Sequence, residues 1–207
     1  MKNSVLFLLV MPLLLFAQPK GYVAMKDKVA FNLLLKNFSQ NTTTLSTDFV
    51  QTKSMKMLKN NIQLKGKMSY AKVSKIRIEY FSPKASVIVM NNGKTFVKEN
   101  GKVANLSNNV AFKRINQLIL GSLNGDIAKS KDFSVQYFEN ATTYYLELTP
   151  VMKSMQAYIS TIILVFDRKD MTLQKMELNE KNNDKTWFDF SNKKINETID
   201  NKLFELK

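Results

Sequence analysis

From Leu45 onward the chain alternates apolar and polar residues with a period of two, which commits most of it to β-strands with one dry and one wet face. Leu64, Gly66, Met68 and Tyr70 alternate with Lys65, Lys67, Ser69 and Ala71, and then Ile76, Ile78 and Tyr80 with Lys75, Arg77 and Glu79. Ser82-Pro83 breaks that strand. Val87 to Met90 then runs through Asn91-Asn92-Gly93 into Thr95-Phe96-Val97, and Asn100-Gly101 leads on to Val103. Asn-Gly between apolar runs is a strong hairpin signal, because both residues accept the positive φ of the tight turn. Further strands are expected at Phe133 to Tyr137, Thr143 to Leu148, Tyr158 to Phe166, Leu173 to Leu178 and Thr186 to Phe190. No Pro/Ser linker or charge block divides the 207 residues. The pattern predicts a mainly β (α+β) single domain, one strongly bent antiparallel sheet with helices against one face.

Two segments read as helices. Between Met25 and Phe38, apolar residues recur at Met25, Val29 and Leu33 and at Ala30, Leu34 and Phe38, the spacing of one buried stripe. Asn41-Thr42-Thr43-Thr44 stops it, since short polar and β-branched residues favour turns and extended chain. Phe112 to Leu120 places Ile115, Leu118 and Ile119 on one face and ends near Gly121. A helix that short needs something to pack against, which makes it a candidate movable flap.

The first seventeen residues have a basic start at Lys2, an apolar run from Val5 to Phe16 and a small residue, Ala17, at the exit. This is the pattern of a cleaved secretory signal, too short an apolar stretch to span a bilayer. The expected mature chain, residues 18–207, is an exported, soluble protein; the periplasm is the compartment implied by the resemblance given below.

Cys and His are both absent, and that removes most catalytic and metal chemistry. No disulfide, thiolate nucleophile, zinc site, Ser-His-Asp engine or imidazole switch can be built. Nor can the chain itself be a lipoprotein, which needs an amino-terminal cysteine. Glu147, Asp167, Asp170 and Glu177 are scattered over turns and wet strand faces, not paired for acid–base work. Asp126, Asp132, Asn182, Asn183 and Asp184 match no calcium-loop spacing. No catalytic residue, metal ligand or cofactor is expected, and the chain reads as a non-enzyme.

The formal net charge is +14, and from Lys53 to Arg77 there are eight basic residues (Lys53, Lys56, Lys59, Lys65, Lys67, Lys72, Lys75, Arg77) and no acidic one. Such a run attracts anionic surfaces. An exported chain does not meet nucleic acid, so acidic lipid head groups fit better. The other reading is that wet-face lysines keep strand edges from aggregating. The apolar faces are rich in large or soft residues: Phe49, Met68, Tyr70, Ile78, Tyr80, Val89, Phe96, Tyr145, Leu148, Leu164, Phe166, Met176, Trp187 and Phe188. Unbranched thioethers pack adaptably against variable apolar partners. Composition alone does not separate a lined cavity from a filled core.

Taken in order, these features resemble the LolA-like lipoprotein carrier family of the bacterial periplasm. The carrying pieces are the secretory start, the amphipathic Met25 to Phe38 helix, the strand Leu45-Ser46-Thr47-Asp48-Phe49-Val50-Gln51, Gly66, and Ile76 to Pro83. They continue with the Asn92-Gly93-Lys94-Thr95 hairpin, Gln117 to Gly121, Leu146 to Pro150, and Trp187-Phe188-Asp189-Phe190 with Asn196 and Phe204. The resemblance implies a single unclosed antiparallel half-barrel with lid helices over an apolar cavity that takes lipoprotein acyl chains. The implied lining is Phe49, Met68, Tyr70, Ile78, Tyr80, Val89, Phe96, Leu148, Leu164, Phe166 and Trp187, with Leu118 and Ile119 on the lid.

Implied partners are acylated lipoproteins, an inner-membrane lipoprotein-releasing transporter and an outer-membrane acceptor, with a monomer as the family expectation. The family's lid-locking arginine falls on Lys72, and Val73 replaces the proline that follows it, so Lys72 or the nearby Arg77 is the latch candidate. A lysine presents a mobile point charge in place of a planar fork. A related lipid carrier, or an envelope-stress sensor with the same half-barrel, is the alternative within binding proteins; a non-lipid structural β-protein lies outside them.

Overall fold

The computed structural model describes residues 18–72, 74–108, 121 and 131–206. The expected signal segment and the expected flap, with Leu118 and Ile119, lie outside the described residues. The described strands are β1 (Val23–Ala24), β2 (Thr44–Ser54), β3 (Ile62–Ala71), β4 (Lys75–Ser82), β5 (Ser86–Asn91), β6 (Lys94–Glu99), β7 (Lys102–Asn105), β8 (Phe133–Glu139), β9 (Thr143–Pro150), β10 (Ile159–Asp167), β11 (Leu173–Glu180) and β12 (Lys185–Ile195). Helix α1 covers Lys28–Asn41, α2 is one turn at Lys153–Gln156, and a 3₁₀ turn covers Asn201–Phe204.

All twelve strands form one sheet in the order β1-β8-β9-β10-β11-β12-β2-β3-β4-β5-β6-β7, antiparallel throughout. Two meanders, β2 to β7 and β8 to β12, are joined where β12 returns to pair with β2. The two ends, β1 and β7, do not pair with each other, so the half-barrel is open. Asn92-Gly93 and Asn100-Gly101 both take positive φ and turn the β5–β6 and β6–β7 hairpins. Register shifts between Ser191 and Lys194 in β12, between Lys65 and Gly66 in β3 and in β10 bend the strands locally.

The alternation sorts side chains as the period requires. The concave face carries Leu45 and Phe49, Met68 and Tyr70, Ile76 and Ile78, Leu146 and Leu148, and Ile162, Leu164 and Phe166 in one buried cluster. Helix α1 closes part of that face through Phe31 and Leu35, which are fully buried, and Phe38, which packs on the cluster. Phe31 meets Tyr137, Tyr144 and Phe166 edge-on, with ring centroids 6.0, 4.9 and 5.9 Å away. Burying a Phe or Leu side chain of this kind contributes roughly 1.5–3 kcal/mol.

The helix itself is as expected, but its buried stripe is not. Val29, Leu33 and Leu34 face outward, and Phe31, Leu35 and Phe38 face in. Every row of this helix contains apolar residues, so periodicity alone did not select the face; the aromatic Phe31 seats among sheet aromatics and turns it. The start is set by Asp27, whose carboxylate accepts from the Ala30 amide at 2.8 Å, a cap worth about 1 kcal/mol. Met25, expected on the stripe, is buried before the helix begins, with its amide bonded to the Tyr137 carbonyl.

The convex face has its own small core. Phe204 of the 3₁₀ turn is buried against Ala71 and Val89, with Val87, Ile199, Leu203 and Leu206 around it. Arg77 Nη1 donates to the Leu203 carbonyl at 3.0 Å, Asn91 Nδ2 to that of Phe204 at 3.3 Å, and Lys75 Nζ to Asn201 Oδ1 at 2.9 Å. The carboxy-terminal segment is thus strapped across β3, β4 and β5.

Gly66 pairs in register with Phe49, whose ring crosses it. A Cβ at Gly66 would collide with the Glu79 carbonyl oxygen and with Phe49 Cζ. Overpacking of this kind costs about 1–3 kcal/mol. Gly66→Ala is expected to lower stability by roughly 2 kcal/mol, read from urea unfolding midpoints, whereas Gly93→Ala meets no atom and is strained only by its positive φ.

Candidate functional site

The concave face is the one large apolar surface that the described elements assemble. Of the expected lining residues, it brings together Phe49, Met68, Tyr70, Ile78, Leu148, Leu164 and Phe166, with Tyr80 packed against them. Three are elsewhere. Val89 points to the convex face beneath Phe204, and Phe96, its register partner, shares that side. Trp187 is also convex, paired with Glu177 and Thr52, and the Lys175 ammonium lies 5.5 Å from its ring centroid. The inward residues of β12 are Phe188 and Phe190. Alternation held a usable signal: Asp189 shares the parity of Trp187, which marks that row as wet. For Val89 no such signal exists, because Val87 to Met90 is apolar at every position.

Where α1 does not pack, the concave face is lined by aromatic rings. Phe49 lies 5.3 Å from Tyr80, 5.9 Å from Phe188 and 6.5 Å from Phe190, and Phe188 stacks on Phe190 at 6.2 Å. Tyr80, Ile88, Leu173, Leu178, Phe188 and Phe190 are only partly buried. This side of the hollow is therefore apolar and still reachable. The Tyr80 hydroxyl donates to Gln51 Oε1 at 2.9 Å, and burial pushes its pKa up to about 12. Burial also raises Tyr70 and Tyr137, the latter partly offset by a hydrogen bond from Asn32. The phenols stay neutral, as an apolar lining requires.

Beside this patch a cavity of about 20 Å³ lies between Leu45, Thr47, Met68, Thr172, Leu173, Met176, Phe190 and Lys193. That holds one water; a benzene-sized guest needs roughly 150 Å³. Lys193 Nζ donates to Thr172 Oγ1 at 2.6 Å at its polar side. An acyl chain entering there must displace these side chains or extend beyond them.

The two latch candidates separate. Lys72 Nζ donates to the Gln40 carbonyl at 2.9 Å, at the carboxy-terminal end of α1, where the helix dipole favours a cation. The carbonyls of Asn37, Phe38 and Asn41 accept from Asn41 Nδ2, Thr42 Oγ1 and Asn196 Nδ2. Three of the last four carbonyls of that helix, those of Phe38, Gln40 and Asn41, are satisfied this way. Arg77 is on the other face, paired with Glu79 and holding the carboxy-terminal strap. Among the described residues, no three His, Cys, Asp or Glu side chains gather to hold a metal, and no helix is long and apolar enough to cross a membrane.

The described elements thus form an open antiparallel half-barrel with a helix laid across its apolar concave face. The family model for the outer membrane lipoprotein carrier protein LolA matches residues 40–207, and the chain belongs to that family. No curated protein matches it in sequence. Similar solved structures include MucB (13% identity over 86% of this chain and 62% of MucB, TM-score 0.51). A LolA superfamily protein of Nitrosomonas europaea (13%, 84% and 96%, TM-score 0.45) and the lipoprotein LppX of Mycobacterium tuberculosis (12%, 82% and 96%, TM-score 0.45) are others. At these identities the structures speak to the fold alone.

The raised Tyr80 pKa carries a sign. The unfolded phenol loses its proton near 10.0, before the folded one does, so stability falls as pH rises from 10 towards 12. Urea unfolding across that range is expected to show a smaller loss for Tyr80→Phe than for the native chain, by on the order of 2 kcal/mol.

Proposed function

We propose that this protein is an extracytoplasmic carrier that binds acyl chains of lipoproteins on its concave face and moves them from the inner to the outer membrane, without catalysis. The observation that carries this reading is the one-sided dry face running unbroken through β8 to β12 and β2 to β5, left partly open at Tyr80, Phe188 and Phe190. Family membership and the secretory pattern of residues 1–17 support it. The partners that follow are an inner-membrane releasing transporter as donor and an outer-membrane acceptor.

Energetics favour a carrier whose empty hollow is mostly filled. A 16-carbon chain fully removed from water is worth on the order of 12 kcal/mol at about 0.8 per methylene. Three such chains would pass the practical ceiling of about 18–21 kcal/mol for non-covalent binding, and the cargo would never leave. If α1 and the aromatic side chains must give way to admit a guest, the apolar contacts they lose are subtracted from the gain. Helix α1 is held at one end by Lys72, which ties its strength to uptake.

Mass spectrometry of material co-purified with the mature chain from the periplasm tests the reading. Acylated lipoproteins are the expected guests; free phospholipid alone would favour a general lipid carrier, and no lipid would remove the proposal. Lys72→Ala is expected to cost about 0.5 kcal/mol in stability and to increase uptake of a fluorescent fatty acid severalfold. Unchanged uptake would detach Lys72 from the cover.

A further inference from the structure

One end of the half-barrel differs from the other. The register pairs Lys53 with Ile62, Ser54 with Lys185 and Ile159 with Glu180, so the β2–β3 loop, the β11–β12 turn and the segment between β9 and β10 all emerge at the same end. Two hydrogen bonds join them into a continuous rim: the Lys56 amide to Asp184 Oδ1 and the Lys181 amide to the Tyr158 carbonyl, each 2.9 Å. Half of the exposed large hydrophobic residues among those described stand here. Met57 is 92% exposed, Tyr158 70% and Val151 55%, with Met152, Leu58 and Ile62 between 41% and 45%. The turns at the opposite end, at 92–93, 140–142 and 168–170, carry no exposed large hydrophobic residue.

The apolar side chains do not form one dry patch. Exposed lysines separate them: Lys56 and Lys59 flank Met57 and Leu58, Lys153 follows Met152, and Lys181 follows the β11 strand. The nearby Asp184 carboxylate is engaged by the Lys56 amide and by Asn182 Nδ2. Glu180 and Glu99 also face this end, Glu99 paired with Lys84. The core of a protein–protein interface is depleted in lysine. Apolar tips set among lysines, with a tyrosine beside them, suit the boundary between acyl chains and anionic head groups.

We infer that this rim is a docking surface for membranes carrying anionic phospholipid. Met57, Leu58 and Tyr158 enter the head-group layer and the flanking lysines pair with phosphates. This assigns Lys56 and Lys59 of the β2–β3 loop a partner, and it does not rest on the identity of any cargo. Each lysine near an anionic surface is worth about 1 kcal/mol, so Lys56→Gln with Lys59→Gln should weaken binding about thirtyfold.

Flotation of the mature chain with vesicles of phosphatidylcholine containing phosphatidylglycerol, against vesicles of phosphatidylcholine alone, tests the inference. Retention on the anionic vesicles that declines with added salt is expected, with a loss of at least about tenfold for Met57→Asp with Leu58→Asp. Both side chains are exposed, so the thermal midpoint of that variant should match the native one, and its fatty-acid uptake should be unchanged. Failure of the native chain to float with anionic vesicles, or equal retention of the double aspartate variant, would overturn the inference. So would capture of a protein through this rim with no vesicle binding.

Discussion

Pairing of β12 with β2 is the contact on which everything else depends. It joins two local meanders, each built from neighbouring strands, into one sheet through two strands that lie more than a hundred residues apart in sequence. Phe190 opposite Phe49, and Phe188 beside them, place aromatic rings on both sides of that seam. Across the next ladder Gly66 leaves room for the Phe49 ring. Without the seam there would be two small sheets with separate dry faces; with it there is one curved face wide enough to serve as a hollow.

The two faces of the sheet are used differently. The concave side collects Phe, Met, Leu and Ile from nearly every strand and leaves part of them uncovered around Tyr80, Phe188 and Phe190. The convex side is largely wet, but the carboxy-terminal segment seals part of it through Phe204 and a set of hydrogen bonds from Arg77, Lys75 and Asn91. That strap explains why apolar residues occur on both sides of β5.

Much of the fold could be read beforehand because β-alternation is a local property. Most strands of β2 to β6 and β8 to β12 fall on segments with that pattern, β5 and β10 being apolar runs, and both Asn-Gly turns stand where their φ angles require them. The candidate site was less legible. Val89 sits in a run that is apolar at every position, so nothing local told inward from outward there, whereas Phe96 shares its parity with Lys94 and Lys98, which mark that row as wet. For β12 the mark exists at Asp189, which shares the parity of Trp187 and sets that row on the wet side. Helix α1 shows the same limit, being apolar on more than one row. Arg77 and Lys72 are five residues apart, yet the intervening turn into β4 sends them to different partners.

What the amino-acid order determined by itself was the set of strands, their turns, a cysteine- and histidine-free chemistry and an excess of positive charge, since each depends on residues a few positions apart. Only the tertiary structure decided which face of α1 is buried, that Val89 packs on the convex side under Phe204, and that Lys72 holds a helix end while Arg77 holds the carboxy-terminal strap. It alone gathered Met57, Val151 and Tyr158 onto one rim. Those outcomes depend on strand register and on packing between segments distant in sequence, and no local periodicity encodes either.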